Sequence, residues 1–499
     1  MQSYEDAMQA LTRLLTSRCL SVSSSLSLWR TCTRLRGVRA EAVIVNLDRV
    51  NSKPWYAVEQ TSALCKALCE CLCPQTAKGL SIRGATITGP SFALLARHFR
   101  SLIWLDISLS CGITDASFAE IKGLPLRSLC LTCCFKPGVS CYRQALVQAK
   151  PTLSANAIKD VLSSYTCLAK FEMESHDVPC GDESERSGDR DGILMGLMNS
   201  ADALTDINLH KASGFSVDAV KRLAGACARL ECLDLGGGCA GARGAVDALA
   251  TCAASNLRKL CLDWVKGIED DALAQAVKRC PNLTFLNVHA DGLWQGPGVG
   301  TLQALAGACP ELRHLDYRRG VVSDYALCNL ASGCPLLRHL DVKLCSGSIS
   351  DATVRTLFQR CEQLAFLNVS CFFSITPACY DGVVCLAMQT LICDRTGLFD
   401  DHGYAAEVQR QRHAAELRRL LLAFPNLRCL FYGPSFEEHL PALERDGMRH
   451  QLQFSIYMKG YDNQVERQGI VEAPMKCLCC NAAWVRNGYS DACRLFRDP

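Results

Sequence analysis

The sequence predicts an α/β solenoid, an open array of similar units with short parallel strands on one face and helices on the other. Three observations predict it. An apolar triplet returns about every two dozen residues, a cysteine that is often followed by proline closes a unit, and Ser or Thr before Asp precedes a helical apolar period. A single unit cannot bury its own apolar face, so neighbouring units must stack to form a continuous core.

The strand of each unit is predicted by the frame Cys-(Pro)-x-Leu-x-x-Leu-x-(Leu/Val), which residues 280–288, 309–317 and 334–342 share. The first positions of the central frames are 26, 27, 26, 29, 25, 27 and 24 residues apart, as in leucine-rich repeats. That first position is held by Ala77, Leu102, Leu126, Leu168, Leu204, Leu230, Leu257, Leu283, Leu312, Leu337, Leu364, Met388 and Leu427. The chain therefore holds about a dozen repeats.

The second half of each unit is predicted to be a helix. In the unit that begins at Leu337, Ser350-Asp351 opens the apolar period of Val354 and Leu357, and Cys361 closes it. Ser or Thr at such a position is typical of a helix N-cap, and proline after a closing cysteine disfavours continuation of the helix. The closing cysteines are predicted to be small buried core residues rather than a metal or redox ladder; they are Cys227, Cys252, Cys280, Cys309, Cys334 and Cys361.

The LxxLxL frame, an internal Cys, Ile-Thr/Ser-Asp and a terminal Cys-Pro recur together over roughly residues 70–435. This combination resembles the cysteine-containing leucine-rich repeats of F-box/LRR proteins. The resemblance implies a leucine-rich-repeat solenoid (horseshoe), with parallel strands on the concave face and helices on the convex face. It also implies a substrate-recognition subunit of an SCF-type ubiquitin ligase, in which an N-terminal F-box docks onto a Skp1-type linker.

The repeat frame divides the chain into residues 1–70, 71–435 and 436–499. Residues 1–70 are interpreted either as a helical N-terminal cap or as a degenerate F-box-like segment, because Leu28-Trp29-Arg30 and Arg34-Leu35-Arg36 resemble the last F-box helix. A cap would close the open end of the solenoid.

Two further segments depart from the frame. Residues 174–192 are polar and rich in acidic residues, which predicts a surface-loop insertion. Residues 436–499 are interpreted as a C-terminal cap or tail, which carries Cys477, Cys480 and Cys493. Structural zinc requires four well-placed ligands, so these cysteines leave zinc as an open alternative and no metal site is predicted.

Composition narrows the class of protein. A net charge of +3 on 499 residues gives no strong global field, so neither nucleic acid nor an anionic membrane is expected as a partner. No stretch of 18 apolar residues indicates a membrane span. The 33 cysteines follow no secretory leader pattern, which favours a reducing compartment, the cytoplasm or the nucleus, with free thiols.

The strand frame also predicts a binding face, because residues that alternate with the leucines point away from the core. The column before the middle leucine contains Trp104, Asp206, Cys232, Lys259, Phe285, His314, His339 and Phe366. The column two residues beyond the polar position contains Ser108, Thr132, His210, Asp263, His289, Arg318, Lys343 and Ser370. Aromatic and arginine side chains are common interface anchors, so the predicted partner-binding residues are Trp104, Phe285, His314, Arg318, His339, Lys343 and Phe366.

The remaining outward column is Asp or Asn: Asp106, Asn208, Asp234, Asn287, Asp316, Asp341 and Asn368. Short polar side chains at a repeated position favour a structural role, in bonds to neighbouring strands, over a binding role. Histidines 210, 289, 314 and 339 share the face and could bind metal or respond to pH. Because no acidic or thiol set to complete a metal site is evident beside them, they are interpreted as ordinary contact residues.

Catalytic motifs are absent from the sequence: there is no phosphate-binding loop, no H-E-x-x-H and no G-x-S-x-G. The chain is therefore expected not to be an enzyme and to need no cofactor. Two functions remain: substrate recognition for an SCF-type ubiquitin ligase, with the protein partner on the concave face, or scaffolding within a larger assembly. A working F-box within residues 1–70 would distinguish the first from the second.

Overall fold

The protein is described by a computed structural model. It describes residues 42–44, 62, 65–66, 68–69, 74–82, 87–108, 110, 112–132, 153–174, 190–212, 214–237, 239, 241–251, 255–290, 296–393, 396, 416, 419–427 and 429–431. The chain forms two compact units, residues 1–283 and residues 284–499, each of which is described by itself below.

Every strand has three residues, and the strands follow one another in parallel within each unit. The described part of the first unit contains β1 (Ala42–Ile44), β2 (Gly79–Ser81), β3 (Trp104–Asp106), β4 (Ser128–Cys130), β5 (Lys170–Glu172), β6 (Asp206–Asn208), β7 (Cys232–Asp234) and β8 (Lys259–Cys261). The described part of the second unit contains β9 (Phe285–Asn287), β10 (His314–Asp316), β11 (His339–Asp341), β12 (Phe366–Asn368), β13 (Thr390–Ile392) and β14 (Cys429–Phe431).

Helices alternate with these strands. In the first unit they are α1 (Gly89–His98), α2 (Asp115–Phe118), α3 (Ala155–Leu162), α4 (Asp191–Leu197), α5 (Val217–Ala226), α6 (Ala242–Thr251) and α7 (Asp270–Lys278). In the second unit they are α8 (Val299–Ala308), α9 (Asp324–Gly333) and α10 (Asp351–Arg360). Short 3-10 turns lie at Ala119–Ile121, Met198–Ser200 and Pro377–Tyr380. The predicted α/β repeat architecture, with parallel strands and alternating helices, is confirmed.

The core is built from the predicted apolar triplets. In the repeat that holds β10, Leu312, Leu315 and Tyr317 are each 0% exposed. The degenerate repeat that opens at Ala77 obeys the same rule, because Ala77, Leu80 and Ile82 are buried to within 2%. The middle leucine of each frame therefore lies at the centre of its strand, as the frame predicts.

The Ser/Thr-Asp motif does more than open a helix. The Thr114 and Ser323 side chains cap α2 and α9 by accepting from backbone N–H groups three residues on. The following aspartate reaches the next repeat: Asp324 accepts from the Ser350 N–H at 2.7 Å, and Asp351 accepts from the Thr376 N–H, also at 2.7 Å. The motif thus ties consecutive helix starts together with charge-assisted hydrogen bonds.

The closing cysteines form a buried column of free thiols. Cys280, Cys309, Cys334 and Cys361 are each 0% exposed. The Cys334 thiol donates to the Cys309 carbonyl at 3.3 Å, and the Cys361 thiol donates to the Cys334 carbonyl at 3.8 Å. Burial raises the pKa of the Cys309 thiol to about 12, so this thiol is protonated at neutral pH. Cysteine suits the position because it fills a small apolar space and still offers a weak donor to a helix-end carbonyl.

The domain boundaries differ in detail from the expectation. β1 (Ala42–Ile44) pairs with β2, so parallel pairing begins inside residues 1–70, where only helices were predicted. Cys65, Lys66, Leu68 and Cys69 have helical conformation. Residues 28–36, Cys252, Cys477, Cys480, Cys493 and residues 436–499 lie outside the described residues.

The predicted loop insertion at residues 174–192 also changes at its ends. Glu174 is 3% exposed and belongs to the folded unit, while α4 already begins at Asp191. Residues 175–189 lie outside the described residues. Among the helices that the structure describes, none is long and apolar enough to cross a membrane.

Candidate functional site

Four flat side chains stack across four neighbouring strands of the second unit. Strand register places Phe285 beside His314, His314 beside His339 and His339 beside Phe366. The ring centroids are 4.2, 3.9 and 3.9 Å apart in that order, and the interplanar angles are 9°, 18° and 8°. We call these four residues the ring ladder. His314 and His339, which the sequence placed in one outward column, stack directly on each other.

The ring ladder is partly open to solvent and uncharged. Phe285, His339 and Phe366 are half-buried, and His314 is buried. Burial lowers the pKa of His314 to about 4, and burial together with the neighbouring His314 lowers the pKa of His339 well below its usual value. Both imidazoles are therefore neutral at pH 7. The ladder presents an apolar ribbon whose polar character is limited to ring nitrogens.

The strands of the ladder's two histidines also carry a buried ion pair. Asp316 and Asp341 each lie two residues after a ladder histidine, and Arg318 is the cation. Arg318 Nε donates to Asp316 Oδ1 at 2.8 Å and lies 3.7 Å from Asp341 Oδ2. Asn368 Nδ2 donates to the same Asp341 oxygen at 3.1 Å. Burial raises the pKa of Asp341 to about 7, with the charge of Asp316 acting in the same direction. Burial also opposes ionisation of Asp316, but the charge and hydrogen bonds of Arg318 keep its pKa below the usual value.

This geometry corrects the expectation for Arg318. The sequence placed it on the open face as a partner anchor, whereas its residue exposure is 8%. Its guanidinium is committed to Asp316 and Asp341, because two buried carboxylates without a cation would be strongly destabilising. Arg318 thus supports the strands behind the ring ladder rather than offering a free cation.

The other two predicted anchors lie where the frame puts them. Lys343 is half-buried, and its backbone N–H donates to Asp341 Oδ1 at 3.0 Å. Trp104 lies on β3 of the first unit, where its register partners are Gly79 and Ser128. It therefore has no ring beside it on either neighbouring strand. The structure brings together Phe285, His314, His339 and Phe366, and Lys343 lies two residues beyond the end of the strand that holds His339.

The Asp/Asn column is structural, as the sequence favours, but by a different bond. Each of the seven side chains accepts the backbone N–H of the residue two positions later in its own chain, and these bonds are 2.9–3.3 Å long. Bonds to neighbouring strands are secondary; Asn368 to Asp341 is one. The column therefore ends each short strand with an Asx turn.

The column that lies two residues beyond the Asp/Asn position is mostly buried. The prediction that its side chains lie on an open face is therefore wrong for most of them. Ser108, Thr132, His210, Asp263, His289, Arg318 and Ser370 are each at most 8% exposed. The strands have only three residues, so the turn bends the chain before this position reaches the exposed face.

A cluster of metal-ligating groups in the first unit was missed. His210, Asp234, Cys261 and Asp263 each offer one donor atom, and the four atoms lie within 4.8 Å of one another. His210 Nδ1 is 3.1 Å from Asp234 Oδ1 and 3.7 Å from Asp263 Oδ1. The Cys261 thiol donates to Asp263 Oδ1 at 3.0 Å. The interpretation that His210 has no acidic or thiol neighbours was wrong.

The signal for this cluster was present in the columns. Between His210 and Asp263, the intervening repeat has Gly236 at the same position. Two strand spacings, about 9.6 Å, ordinarily separate side chains two repeats apart. The glycine leaves room for both side chains to lean across the gap, and a Cβ at position 236 would lie 1.7 Å from Asp263 Oδ1.

Burial would lower the pKa of His210, but its hydrogen bond to Asp234 and the charges of Asp234, Asp263 and Glu174 overcome this and raise it. The ring therefore lies in a markedly negative, largely buried environment. Such an environment suits a cation as well as a proton.

Comparison with known proteins adds little to this geometry. No protein-family model and no curated protein matches the chain. Among solved structures, the chain is similar to one described as a complex of Rad7 and Elc1 from yeast, with 12% identity over 92% of each chain and a TM-score of 0.46.

Proposed function

We propose that the chain is a non-catalytic protein-binding repeat protein and that the ring ladder is its principal contact surface. Within that class, we propose a substrate-recognition adaptor of an SCF-type ubiquitin ligase. The observation that carries the binding proposal is the stack of Phe285, His314, His339 and Phe366 at intervals of 3.9–4.2 Å.

The ladder has the physical properties of a contact surface. Its rings are ordered against one another before any partner arrives, so binding costs little side-chain entropy. Its histidines are neutral, so covering them with an apolar side chain does not require burial of a charge. The edges of four aligned rings, with Lys343 at one side, suit a partner segment with apolar side chains and an acidic or carbonyl group.

The adaptor role rests on the repeat frame, whose Cys-Pro ending and Ser/Thr-Asp helix start resemble those of F-box/LRR proteins. An adaptor of this kind brings a substrate close to a ligase and performs no chemistry itself, so the binding face is its working part. A cytoplasmic or nuclear location belongs to the same proposal. It is supported by the free thiols of the described cysteines, most of which are buried.

The experiment is affinity capture from cell extract with the full-length protein, its Phe285→Ser/Phe366→Ser variant and a matched Phe373→Ser control. Phe373 belongs to the same unit, is 74% exposed and lies outside the ladder. We expect the double variant to lose a defined set of captured proteins that the control retains. Equal capture by all three proteins would overturn the binding proposal.

The adaptor role is tested separately by adding purified Skp1-type linker to the full chain and to a Leu28→Asp/Trp29→Asp variant. We expect linker binding by the unaltered chain and its loss in the variant. If ladder-dependent partners are captured and no linker binds, the protein is a scaffold and the ubiquitin-ligase proposal fails.

A further inference from the structure

We propose that His210, Asp234, Cys261 and Asp263 form a binding site for one divalent transition-metal ion, with Zn²⁺ as the best match. The four residues come from three consecutive repeats of the first unit. His210 follows β6, Asp234 ends β7, Cys261 ends β8 and Asp263 lies two residues beyond it. A metal here would join three neighbouring strands through side chains.

Three of the six separations between the donor atoms are close to those of a tetrahedral centre. With metal–ligand bonds of about 2.0–2.3 Å, the donor atoms of such a centre lie about 3.3–3.8 Å apart. The observed separations are 3.1 Å from His210 to Asp234, 3.7 Å from His210 to Asp263 and 3.0 Å from Cys261 to Asp263. All four donor atoms lie within 4.8 Å of one another, so movements of up to about one ångström bring them to the required spacing.

Gly236 shows that the space between the ligands depends on the absence of a side chain. A Cβ there would meet Asp263 Oδ1 at 1.7 Å and His210 Nδ1 at 2.9 Å. Any larger residue would separate the two ligands that come from repeats two apart. The backbone N–H of Gly236 also donates to Asp234 Oδ1 at 3.0 Å, which orients that carboxylate toward the cluster.

His210 brings an imidazole to a column that also holds the buried His289. Ser108, Thr132 and Ser370 occupy the same position in other repeats and are buried there as small hydroxyl side chains. His210 is 6% exposed, and the nitrogen that it presents to the cluster is Nδ1, which lies 3.1 Å from Asp234 Oδ1 and 3.7 Å from Asp263 Oδ1. The imidazole therefore brings a nitrogen donor to a position where a serine would offer only a hydroxyl.

The donor set selects the class of metal. Imidazole nitrogen and thiolate sulfur favour zinc or cobalt over calcium and magnesium, which prefer oxygen alone. On binding, the thiol proton that Cys261 now donates to Asp263 leaves for solvent, and the sulfur becomes a thiolate ligand. His210 Nδ1 likewise gives up the proton that it holds against Asp234, because the ion binds the lone pair of that nitrogen. The Asp234 side chain remains 34% exposed, whereas those of His210 and Asp263 are 8% and 7% exposed, so the ion would enter on the side of Asp234.

The test uses the full-length protein stripped with chelator and titrated with Co²⁺ alone, then with Zn²⁺ in competition. Tetrahedral cobalt with a thiolate ligand gives strong d–d bands and a sulfur-to-metal charge-transfer band. We expect one equivalent to bind with these bands. We expect Asp263→Asn and His210→Gln to weaken that equivalent by more than about a thousandfold, beyond the roughly 10–100-fold effect of losing a supporting neighbour.

Because the chain has 33 cysteines, the design needs a control thiol. Cys130 holds the corresponding strand position in another repeat, with the same 9% exposure as Cys261. Cys261→Ser should abolish the charge-transfer band of this equivalent, and Cys130→Ser should leave it unchanged. Gly236→Ala keeps every ligand but separates two of them, so it should weaken binding as well.

Thermal unfolding with and without Zn²⁺ shows whether each variant is folded. Folded variants that bind the same number of equivalents as the unaltered chain, with the same affinity, would overturn the proposal. The cluster would then be an ion pair of His210 with its carboxylates. This result would leave the ring-ladder proposal intact, because the ladder lies in the other unit.

Discussion

The ring ladder makes the second unit sensitive to acid, and replacing its central histidine should remove part of that sensitivity. The usual histidine pKa is 6.5, whereas in folded His314 burial lowers it to about 4. Above pH 6.5 both the folded and the unfolded chain hold a neutral ring. As the pH falls through 6.5, only the unfolded chain takes up the proton, so the stability contribution is lost progressively between about pH 6.5 and 4.

The magnitude follows from the shift. A change of about 2.5 pKa units corresponds to about 3.4 kcal/mol when the loss is complete, and to about 2 kcal/mol at pH 5. His339 acts with the same sign, because its pKa is also lowered. Asp341 acts with the opposite sign: its raised pKa of about 7 means that the folded chain gains stability as the pH falls from about 7 toward 4. The unaltered protein therefore shows only the net effect.

A His314→Phe variant isolates the contribution of His314 to the pH dependence of stability. Phenylalanine continues the stack between Phe285 and His339 but has no titratable group. The assay is hydrogen exchange of peptides covering residues 312–342 at about pH 7.5 and pH 5, corrected for intrinsic exchange rates. We expect the variant to lose about 2 kcal/mol less opening free energy on acidification than the unaltered chain. His98→Phe, on a helix of the first unit, serves as the control. An unchanged acid response in His314→Phe would refute the reasoning.

Three further predictions concern the repeat architecture. Leu315→Ala should lower the free energy of unfolding of the second unit by about 2–5 kcal/mol, measured by urea denaturation, since Leu315 is 0% exposed; the exposed Phe373→Ala should change it by less than about 1 kcal/mol. Asp324→Ala should cost about 1–2 kcal/mol in the same assay through loss of its bond to the Ser350 N–H, whereas Glu362→Ala, at an exposed residue in the turn after α10, should be near neutral. Gly333→Ala should lower the melting temperature by several degrees although alanine favours helices, because its Cβ would lie 2.0 Å from the Ala306 carbonyl oxygen; a rise in melting temperature would contradict that packing.

The place of each residue within its repeat could be predicted well. It depends only on the repeat period of about two dozen residues and on the alternation of side chains along a strand. The frame placed Leu315 at a strand centre and put Phe285, His314 and Phe366 in one column, and both are found. These features need only the rule that alternate side chains of a strand face opposite ways. The ring ladder itself was therefore visible in the sequence.

Burial beyond the strand could not be predicted in the same way. The Asx turn after each three-residue strand changes the direction of the chain, so Arg318 and His210 are buried where continued alternation would have exposed them. The metal-ligating cluster depends on Gly236, because the space for the ligands exists only where this residue has no side chain. Such sites arise from side chains two repeats apart, which a single-repeat frame does not compare.

The central claim, that the ring ladder is the partner-binding surface, is tested most directly by photocrosslinking. A benzoylphenylalanine at position 366 of the full-length protein places the reactive group on the ladder, and the same group at position 373 places it on exposed surface of the same unit. We expect a captured partner to crosslink from position 366 and not from position 373. Crosslinking from position 373 alone, or equally from both, would contradict the assignment of the ladder as the binding surface.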